Sequence, residues 1–295
     1  MRVSSTMPSP GESVPTPAPA FTITTMEGVG RCLVAARDIS ALEEILVDQP
    51  AMVAPYYDPQ PMCLECLRKT DGTVSCPRCG LPLCGEEECE AGPGHRLECQ
   101  YFTNLASRLQ IPRHAQNTPY LVSVLRLLAV RDQDPAMWAR LDLLMDHLEE
   151  LEQQVDAWSS VQENIVQWLL RPEKGGLQGV YTSQEINRAI GLIQTNAINM
   201  EKPWRGDIVS CKALYPTFSF VSHSCVSNAR VVFNEDSSIR LRAQVDIKEG
   251  EEITIQYISH LFSNIVRREE ILSNWMFQCS CSRCEDPSEL GTDLG

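Results

Sequence analysis

Short apolar runs separated by turn residues mark the segment from Phe21 to Val53. Cys32–Ala35 and Ile45–Val47 are two such runs, and Gly28-Val29-Gly30 and Arg37-Asp38 lie beside them. Runs of this length between turn residues are typical of β-strands. We therefore expect this segment to consist of strands joined by tight turns.

The spacing of apolar residues changes to steps of three and four between Thr103 and Leu170, which is the spacing of an amphipathic helix. Pro172 and Gly175-Gly176 end this helical stretch. It predicts a helix face packed on the core of the same chain, with a coiled coil to another chain as the alternative. The apolar stripe that predicts this face consists of Leu141, Leu144, Leu148, Leu151, Val155 and Trp158.

A capping box and four apolar segments predict one more helix and a return to strands. Thr182-Ser183-Gln184-Glu185 fits the capping-box pattern, which predicts a helix through about Thr195. The turn Asn234–Ser238 makes a hairpin of the second and third predicted strands. A short helix is expected in the last 30 residues, so the fold class is α+β. The four predicted strands are Phe218–Val221, Ala229–Phe233, Ile239–Ala243 and Glu252–Tyr257.

Composition and charge limit the partners of the chain. The 295 residues are 43% hydrophobic and carry a net charge of −14, which argues against direct nucleic-acid binding and favours a basic protein as partner. No apolar stretch is long enough to cross a membrane, and residues 1–19 lack the apolar core of a secretory signal. Five of residues 1–19 are prolines, and the segment has too few apolar residues to form a core, which predicts a disordered tail. We expect a protein of the nucleus or cytoplasm.

Thirteen cysteines need an explanation in such a reducing compartment, where closely spaced cysteines are more often metal ligands than disulfides. Eleven of them lie in clusters. The other two, Cys32 and Cys211, have apolar neighbours and are expected to be inert core residues.

Four successive pairs of soft ligands form the first cysteine cluster: Cys63-x2-Cys66, Cys76-x2-Cys79, Cys84-x4-Cys89 and His95-x3-Cys99. Eight ligands predict two closed tetrahedral zinc sites, which are structural rather than catalytic. The spacing favours an interleaved pairing and also allows a sequential one. The interleaved pairing puts Cys63, Cys66, Cys84 and Cys89 on one ion and Cys76, Cys79, His95 and Cys99 on the other.

The second cluster, Cys279-x-Cys281-x2-Cys284, has three ligands and needs a fourth from elsewhere in the chain. Cys225 is the best donor. If it serves, the end of the chain is held beside His223, and residues distant in sequence build one wall of a cleft.

The order of these parts resembles the SET and MYND (SMYD) family of protein-lysine methyltransferases over residues 21–285. That order runs G-x-G, zinc finger, helical insert, T-N-A, x-H-S-C, G-E-E-I-x-x-x-Y and C-x-C-x2-C. The resemblance implies a mostly-β SET fold with a threaded C-terminal segment, interrupted by a MYND finger and a helical insert. The implied parts are a disordered tail (1–19), the N-terminal part of the SET domain (20–62), the MYND finger (63–99), the helical insert (100–195), the SET core (196–260), the post-SET zinc cluster (261–285) and a polar tail (286–295).

The resemblance also implies a function and a site. The function is S-adenosylmethionine-dependent methylation of a lysine in a histone tail or another protein, and the MYND finger would bind proline-containing peptides of transcriptional regulators. Tyr257 would be the catalytic residue, and Trp275 would line the lysine channel. The cofactor would contact Gly28, Val29, Gly30, Arg31, Asn196, Ser222, His223, Tyr257 and Phe277.

Ser222 departs from the family pattern, which has Asn before His-Ser-Cys. A serine offers one hydroxyl where an amide both donates and accepts, so a catalytically weak or inactive scaffold that recruits transcriptional regulators is the alternative function. This substitution resembles the divergent arthropod SmydA group. The finger departs as well, with four residues inside its third pair where the family usually has three, and a finger that only braces its neighbour is the alternative to peptide binding. His114, His147 and His260 lack partners at ligand or triad spacing and are assigned surface or core roles.

Overall fold

The computed structural model describes residues 19–55, 60–87, 89, 92, 94–96, 99–100, 103, 118–172, 176–286 and 288. Nearly all of the two predicted tails, together with His114, lies outside these residues. The extent of the disordered tail therefore stays a prediction.

Within the described ranges, ten strands form four small sheets. The strands are β1 (Phe21–Met26), β2 (Gly30–Ala35), β3 (Glu44–Asp48), β4 (Met52–Pro55), β5 (Ile198–Trp204), β6 (Asp207–Leu214), β7 (Ser222–His223), β8 (Ala229–Phe233), β9 (Ile239–Ala243) and β10 (Thr254–Ile255). The sheet orders are β1-β2, β3-β9-β8, β4-β6-β5 and β10-β7, and only the last is a parallel pair. Strands from both ends of the sequence share sheets, so the predicted insert divides one domain rather than separating two.

The predicted hairpin of β8 and β9 is confirmed, with Phe233 opposite Ile239 across the turn. Alternation explains it, because Ile239, Leu241 and Ala243 are fully buried while the arginines between them lie on the other face. The hairpin thus buries one face and exposes the other.

Two predicted strands are shorter or absent. Phe218–Phe220 is a 3₁₀ turn rather than a strand, because the backbone N–H groups of Thr217 and Phe218 donate to the buried Asp48 carboxylate at 2.7 and 2.9 Å and start the turn there. Of Glu252–Tyr257, only Thr254–Ile255 pairs as a strand. These corrections shorten the strands that lead to the site.

The hairpin of β5 and β6 was not predicted from the sequence. Its turn contains Arg205 and Gly206, both at positive φ (48° and 88°), and Pro203 in β5 masks the strand pattern. The signal that remains is the alternation of buried Val209 and Cys211 in β6 with exposed residues.

The helices are α1 (Thr118–Gln133), α2 (Pro135–Leu141), α3 (Leu148–Gln153), α4 (Val155–Val161), a π-helical turn (Gln162–Val166), α5 (Gln167–Leu170), α6 (Ser183–Asn196), α7 (Asn264–Trp275) and α8 (Ser282–Glu285). The predicted capping box is present, since the Thr182 hydroxyl accepts from the Glu185 N–H and the Glu185 carboxylate accepts from the Thr182 N–H. None of the described helices is long and apolar enough to span a membrane.

The apolar stripe that begins at Leu141 is not one continuous helix. Helix α2 ends at Leu141, and the chain turns before α3 at His147, which has a φ of 48°. Leu141 and Leu151 are buried as predicted, but Val155 is 67% exposed. The broken stripe removes the basis for a coiled coil and leaves only the prediction of core packing, which holds for part of the stripe.

One apolar core joins the cysteine-rich segment to the rest of the molecule. Arg126 on α1 crosses this junction, because its buried guanidinium donates to the carbonyl of Val53 in β4 and to the carbonyl of Leu64 in the cysteine segment. Carbonyl acceptors compensate much of the cost of burying this charge. Cys32 and Cys211 are fully buried, as predicted.

Candidate functional site

A cavity of about 920 Å³ lies where parts distant in sequence meet. This volume is in the range of small-molecule sites. Its walls come from the β1–β2 turn, the segment before α3, the end of α6, the strands β7 and β10, and the end of α7. The lining includes Gly28, Val29, Gly30, Arg31, Met145, His147, Asn196, Ser222, His223, Tyr257, Trp275 and Phe277.

The first wall is the tight turn between β1 and β2. Gly28 and Gly30 have φ of +76° and +87°, and a Cβ on either would meet no atom within 4 Å. The need for glycine here is therefore conformational, and the turn presents backbone atoms to the cavity. Arg31 lies over the ring of Phe220, with its guanidinium carbon 5.5 Å from the ring centroid.

The second wall is the parallel pair β7 and β10. Ser222 lies opposite Thr254 and His223 lies opposite Ile255. This pairing brings Tyr257 beside His223, with ring centroids 5.2 Å apart. The short strands thus bring the two sequence-predicted residues together.

His223 connects the backbone of Tyr257 to a cysteine. The Tyr257 N–H donates to Nδ1 of His223 at 3.0 Å, so the ring proton is on Nε2, which lies 3.3 Å from Sγ of Cys225. Burial, with a smaller contribution from the charge of Arg267, lowers the pKa of His223 to about 4. The imidazole is therefore neutral at physiological pH, and its two nitrogens connect the backbone of Tyr257 to Cys225.

The Tyr257 hydroxyl donates to the main-chain carbonyl of Val221 at 2.5 Å. The Trp275 ring lies close to the Tyr257 ring, with a centroid separation of 5.1 Å. Burial raises the pKa of Tyr257 above its ordinary value, so the group is a phenol and not a phenolate at neutral pH. Its arrangement suits orientation of a polar group rather than direct proton abstraction.

Asn196 ends α6 at the edge of the cavity. Its Nδ2 donates to the carbonyl of Met145 at 2.7 Å and to that of Leu192 at 3.2 Å. These bonds hold the loop before α3 against the end of α6. Met145 and His147 reach the cavity for this reason, and sequence reasoning missed both because their position depends on the break before α3.

The last wall is held by the third cysteine group. Cys225, Cys279, Cys281 and Cys284 have sulfur atoms within 4.8 Å of one another, with Cys225 and Cys284 3.6 Å apart. A tetrahedral zinc site with Zn–S bonds near 2.3 Å places its sulfurs about 3.8 Å apart. The geometry fits that ion, and it places Phe277 6.3 Å from His223 between ring centroids.

Two more groups in the cysteine-rich segment have the interleaved pairing. One joins Cys63, Cys66, Cys84 and Cys89, and the other joins Cys76, Cys79, His95 and Cys99, each with ligand atoms within 4.8 Å. Representative separations are 3.9 Å for Cys66 and Cys84 and 3.2 Å for Cys79 Sγ and His95 Nε2. The structure therefore selects the interleaved pairing over the sequential one.

Thiolate formation is favoured at one cysteine of the first of these groups, Cys66. A hydrogen bond from the Cys63 thiol, with further help from Arg68, lowers the pKa of Cys66. A thiolate is the form that binds zinc. The donor set therefore matches the metal in chemistry as well as in geometry.

The model of the SET domain family matches residues 30–258 of the chain. This range covers most of the chain and contains the cavity residues from Gly30 to Tyr257. Gly28, Val29, Trp275 and Phe277 also line the cavity and lie outside the range. The chain belongs to the SET domain family.

The curated relatives that this chain resembles include proteins named SmydA-8 and SMYD3. "SET domain-containing protein SmydA-8, isoform B" of Drosophila melanogaster is 28% identical over 275 residues, covering 90% of this chain and 57% of the relative. "Histone-lysine N-methyltransferase SMYD3" of Homo sapiens is 25% identical over 235 residues, covering 76% and 51%. The chain thus spans a little over half the length of these relatives. A solved structure described as the SET domain of LSMT bound to MeLysine and AdoHcy has a TM-score of 0.47 and 16% identity, covering 91% of this chain and 54% of that one.

The SET domain brings together every residue that the sequence assigned to the cofactor and to catalysis, since all of them line one cavity. All twelve predicted metal ligands fall into three groups that could each hold an ion. His147 departs from its assigned role, because it lines the cavity. His260 is exposed, in agreement with a surface role.

Proposed function

We propose that this chain is an S-adenosylmethionine-dependent protein-lysine N-methyltransferase. One observation carries the proposal: Cys225 lies in one group with Cys279, Cys281 and Cys284. This contact brings residues 275–282 beside His223 and Tyr257, and together they line one cavity. The SET family membership supports the same chemistry.

The residues present fit the cofactor. Backbone atoms of Gly28–Arg31 would hold its methionine part, and the ring of Phe277 would cover the adenine. Asn196, Ser222 and His223 would hold the adenosyl group, with His147 as an additional contact from the loop before α3. When bound, S-adenosylmethionine supplies an electrophilic methyl group on a sulfonium.

The aromatic pair Tyr257 and Trp275 would act on the substrate lysine. A lysine amine has a pKa near 10.4, so its reactive neutral form is scarce at neutral pH. Removal of water by the two rings disfavours the ammonium and lowers that pKa. The Tyr257 phenol, fixed by the Val221 carbonyl, would orient the amine for in-line attack.

The metal groups are structural in this proposal, with zinc as the ion in each. Twelve ligands leave no open coordination position for a reacting group. The finger of residues 63–99 would bind proline-containing peptides of transcriptional regulators. It would also brace the SET domain, a role that the Arg126 bonds to Val53 and Leu64 support. The substrate would be a histone tail or another basic protein in the nucleus or cytoplasm, which suits the net charge of −14.

Calorimetry with S-adenosylmethionine and a radiometric assay on histones and lysine peptide arrays test this function together. We expect cofactor binding, and transfer of labelled methyl to a lysine. Absence of binding at millimolar cofactor would end the methyltransferase proposal.

A catalytically weak or inactive scaffold that recruits transcriptional regulators is the second candidate. Ser222 favours it, because its single hydroxyl lies in the cavity where the family pattern has an amide. Peptide binding by the finger without measurable cofactor binding is the result that this candidate predicts.

A further inference from the structure

The three-stranded sheet β3-β9-β8 has an outer face that carries arginines away from the cavity. Cross-strand register places Arg240 between Val47 and Val232, and Arg242 between Glu44 and Arg230. None of these six residues lines the cavity. We call this surface the arginine face, defined by Glu44, Val47, Arg230, Val232, Arg240 and Arg242.

The arginine face has more positive than negative charge in a chain of net charge −14. Its ion pair joins Arg240 Nη1 to Glu44 Oε2 at 3.5 Å, with both side chains about two-fifths exposed (42% and 41%). Arg230 and Arg242 are direct cross-strand partners, an arrangement that costs stability because like charges face each other. The sheet alone therefore gains nothing from this pair.

Apolar surface accompanies the charge. Val47 is 46% exposed and Val232 is 37% exposed, and they flank Arg240 on both sides. The Nε atoms of Arg240 and Arg242 are covered and have no hydrogen-bond partner among the described residues. The arginines are thus partly desolvated where the valines lie and keep charged ends at the surface, which strengthens any pairing with a carboxylate.

We propose that the arginine face docks an acidic segment of a partner protein, with carboxylates on Arg230, Arg240 and Arg242 and an apolar residue over the valines. Charge complementarity selects this occupant over a basic substrate tail. A nucleic acid is a poorer match, because the acidic remainder of the chain repels a long phosphate backbone while a short peptide meets only the face. The face would hold a partner while the cavity remains open to a lysine.

Fluorescence anisotropy tests the proposal with a short labelled peptide in which glutamates alternate with valine and serine. We expect binding that weakens with salt and falls about tenfold in Arg230→Glu. That variant replaces a like-charge pair by an opposite-charge pair with Arg242, so its thermal stability should stay equal or rise. Loss of binding therefore cannot come from unfolding.

Arg171→Glu is the matched control. Arg171 is exposed after α5, and the substitution changes the net charge by the same amount as Arg230→Glu. Its peptide binding should match that of the unmodified chain.

Three results would overturn the proposal. They are equal loss in both variants, no peptide binding at low salt, and a DNA oligonucleotide that binds as tightly with the same Arg230 dependence. Self-association of the chain that Arg230→Glu abolishes would replace the partner with a second copy. All of these measurements are independent of methyl transfer, so their failure does not touch the methyltransferase proposal.

Discussion

The Tyr257 hydroxyl is held by a backbone carbonyl, which fixes its direction independently of any ionisable neighbour. The His223 and Trp275 rings lie 5.2 and 5.1 Å from the Tyr257 ring between centroids. At the residue scale, this places one polar atom beside two aromatic rings at the wall of the cavity. The Tyr257 ring therefore packs against its aromatic neighbours, while its hydroxyl is the group available to orient a substrate, and the two roles can be tested separately.

Tyr257→Phe tests the hydroxyl alone. We expect turnover to fall by about 100-fold or more, because the amine loses its orienting group, while cofactor affinity measured by calorimetry stays unchanged. The Val221 carbonyl loses its donor, so the free energy of unfolding should fall by about 1 kcal/mol. Unchanged turnover would show that the channel lies elsewhere.

Ser222→Asn restores the side chain of the family pattern. An amide can donate and accept at the cofactor, whereas the hydroxyl offers a shorter reach. We expect affinity for S-adenosylmethionine to rise by about tenfold, the equivalent of one good hydrogen bond. Ser219→Asn, also at the cavity, is the control and should give no gain in cofactor affinity. If Ser222→Asn binds the cofactor no more tightly than the unmodified chain, Ser222 does not limit cofactor binding.

Short elements position the site at the next scale. Helix α6 begins at a capping box and ends at Asn196, and its buried face includes Ile186, Ile190 and Ile193. One end of the helix is therefore a local sequence feature, and the other end is part of the cavity. Packing of this buried face against the core therefore fixes the position of Asn196 at the cavity.

Thr182→Ala removes the side-chain acceptor for the Glu185 N–H, which lies 3.2 Å away. We expect the free energy of unfolding in urea to fall by about 1 kcal/mol. Cofactor affinity should not change, because the buried face of α6 still fixes its C-terminal end. Ser183→Ala, one residue later and exposed, should lower the free energy of unfolding much less. An equal decrease in both variants would show that the Thr182 hydroxyl does not stabilise the helix as a cap.

The His223 ring also links short elements around the site. The imidazole, which lies in β7, contacts Tyr257, two residues after β10, at 3.0 Å and Cys225 of the third cysteine group at 3.3 Å. The metal group therefore supports Tyr257 through the imidazole as well as through the end of the chain. Two short strands alone, with two residues each, would hold this arrangement weakly.

Side-chain groups that could each hold a metal ion connect the described residues of the molecule at two places. The finger groups organise a segment within the common core, and the third group pins the end of the chain to Cys225. Metal binding of this kind contributes folding free energy directly. Removal of one group should therefore have a local and separable effect.

Cys225→Ala breaks only the third group. We expect zinc content to fall from three equivalents to two, in line with the three ligand groups, and cofactor affinity to fall at least about tenfold because the Phe277 wall is released. Cys211→Ala, a buried cysteine outside the groups, is the control and should keep all zinc. A Cys225→Ala protein with full zinc content would contradict the assignment.

The sequence by itself determined the metal ligands, the tight Gly28–Arg31 turn, the α6 cap and the β8–β9 hairpin. These features depend on local spacing: ligand pairs with two to four residues between them, side chains that bond nearby backbone, and alternation that buries one face. The recognised order of motifs then pointed to the SET fold and to those cavity residues that were assigned to the cofactor and to catalysis.

Only the tertiary structure decided the rest. The interleaved pairing, the 3₁₀ turn at Phe218–Phe220 held by Asp48, and the reach of Met145 and His147 all depend on contacts between segments far apart in sequence. The arginine face depends on the register of three strands. Sequence spacing specifies which groups a residue offers, but long-range packing and hydrogen bonding fix which groups meet.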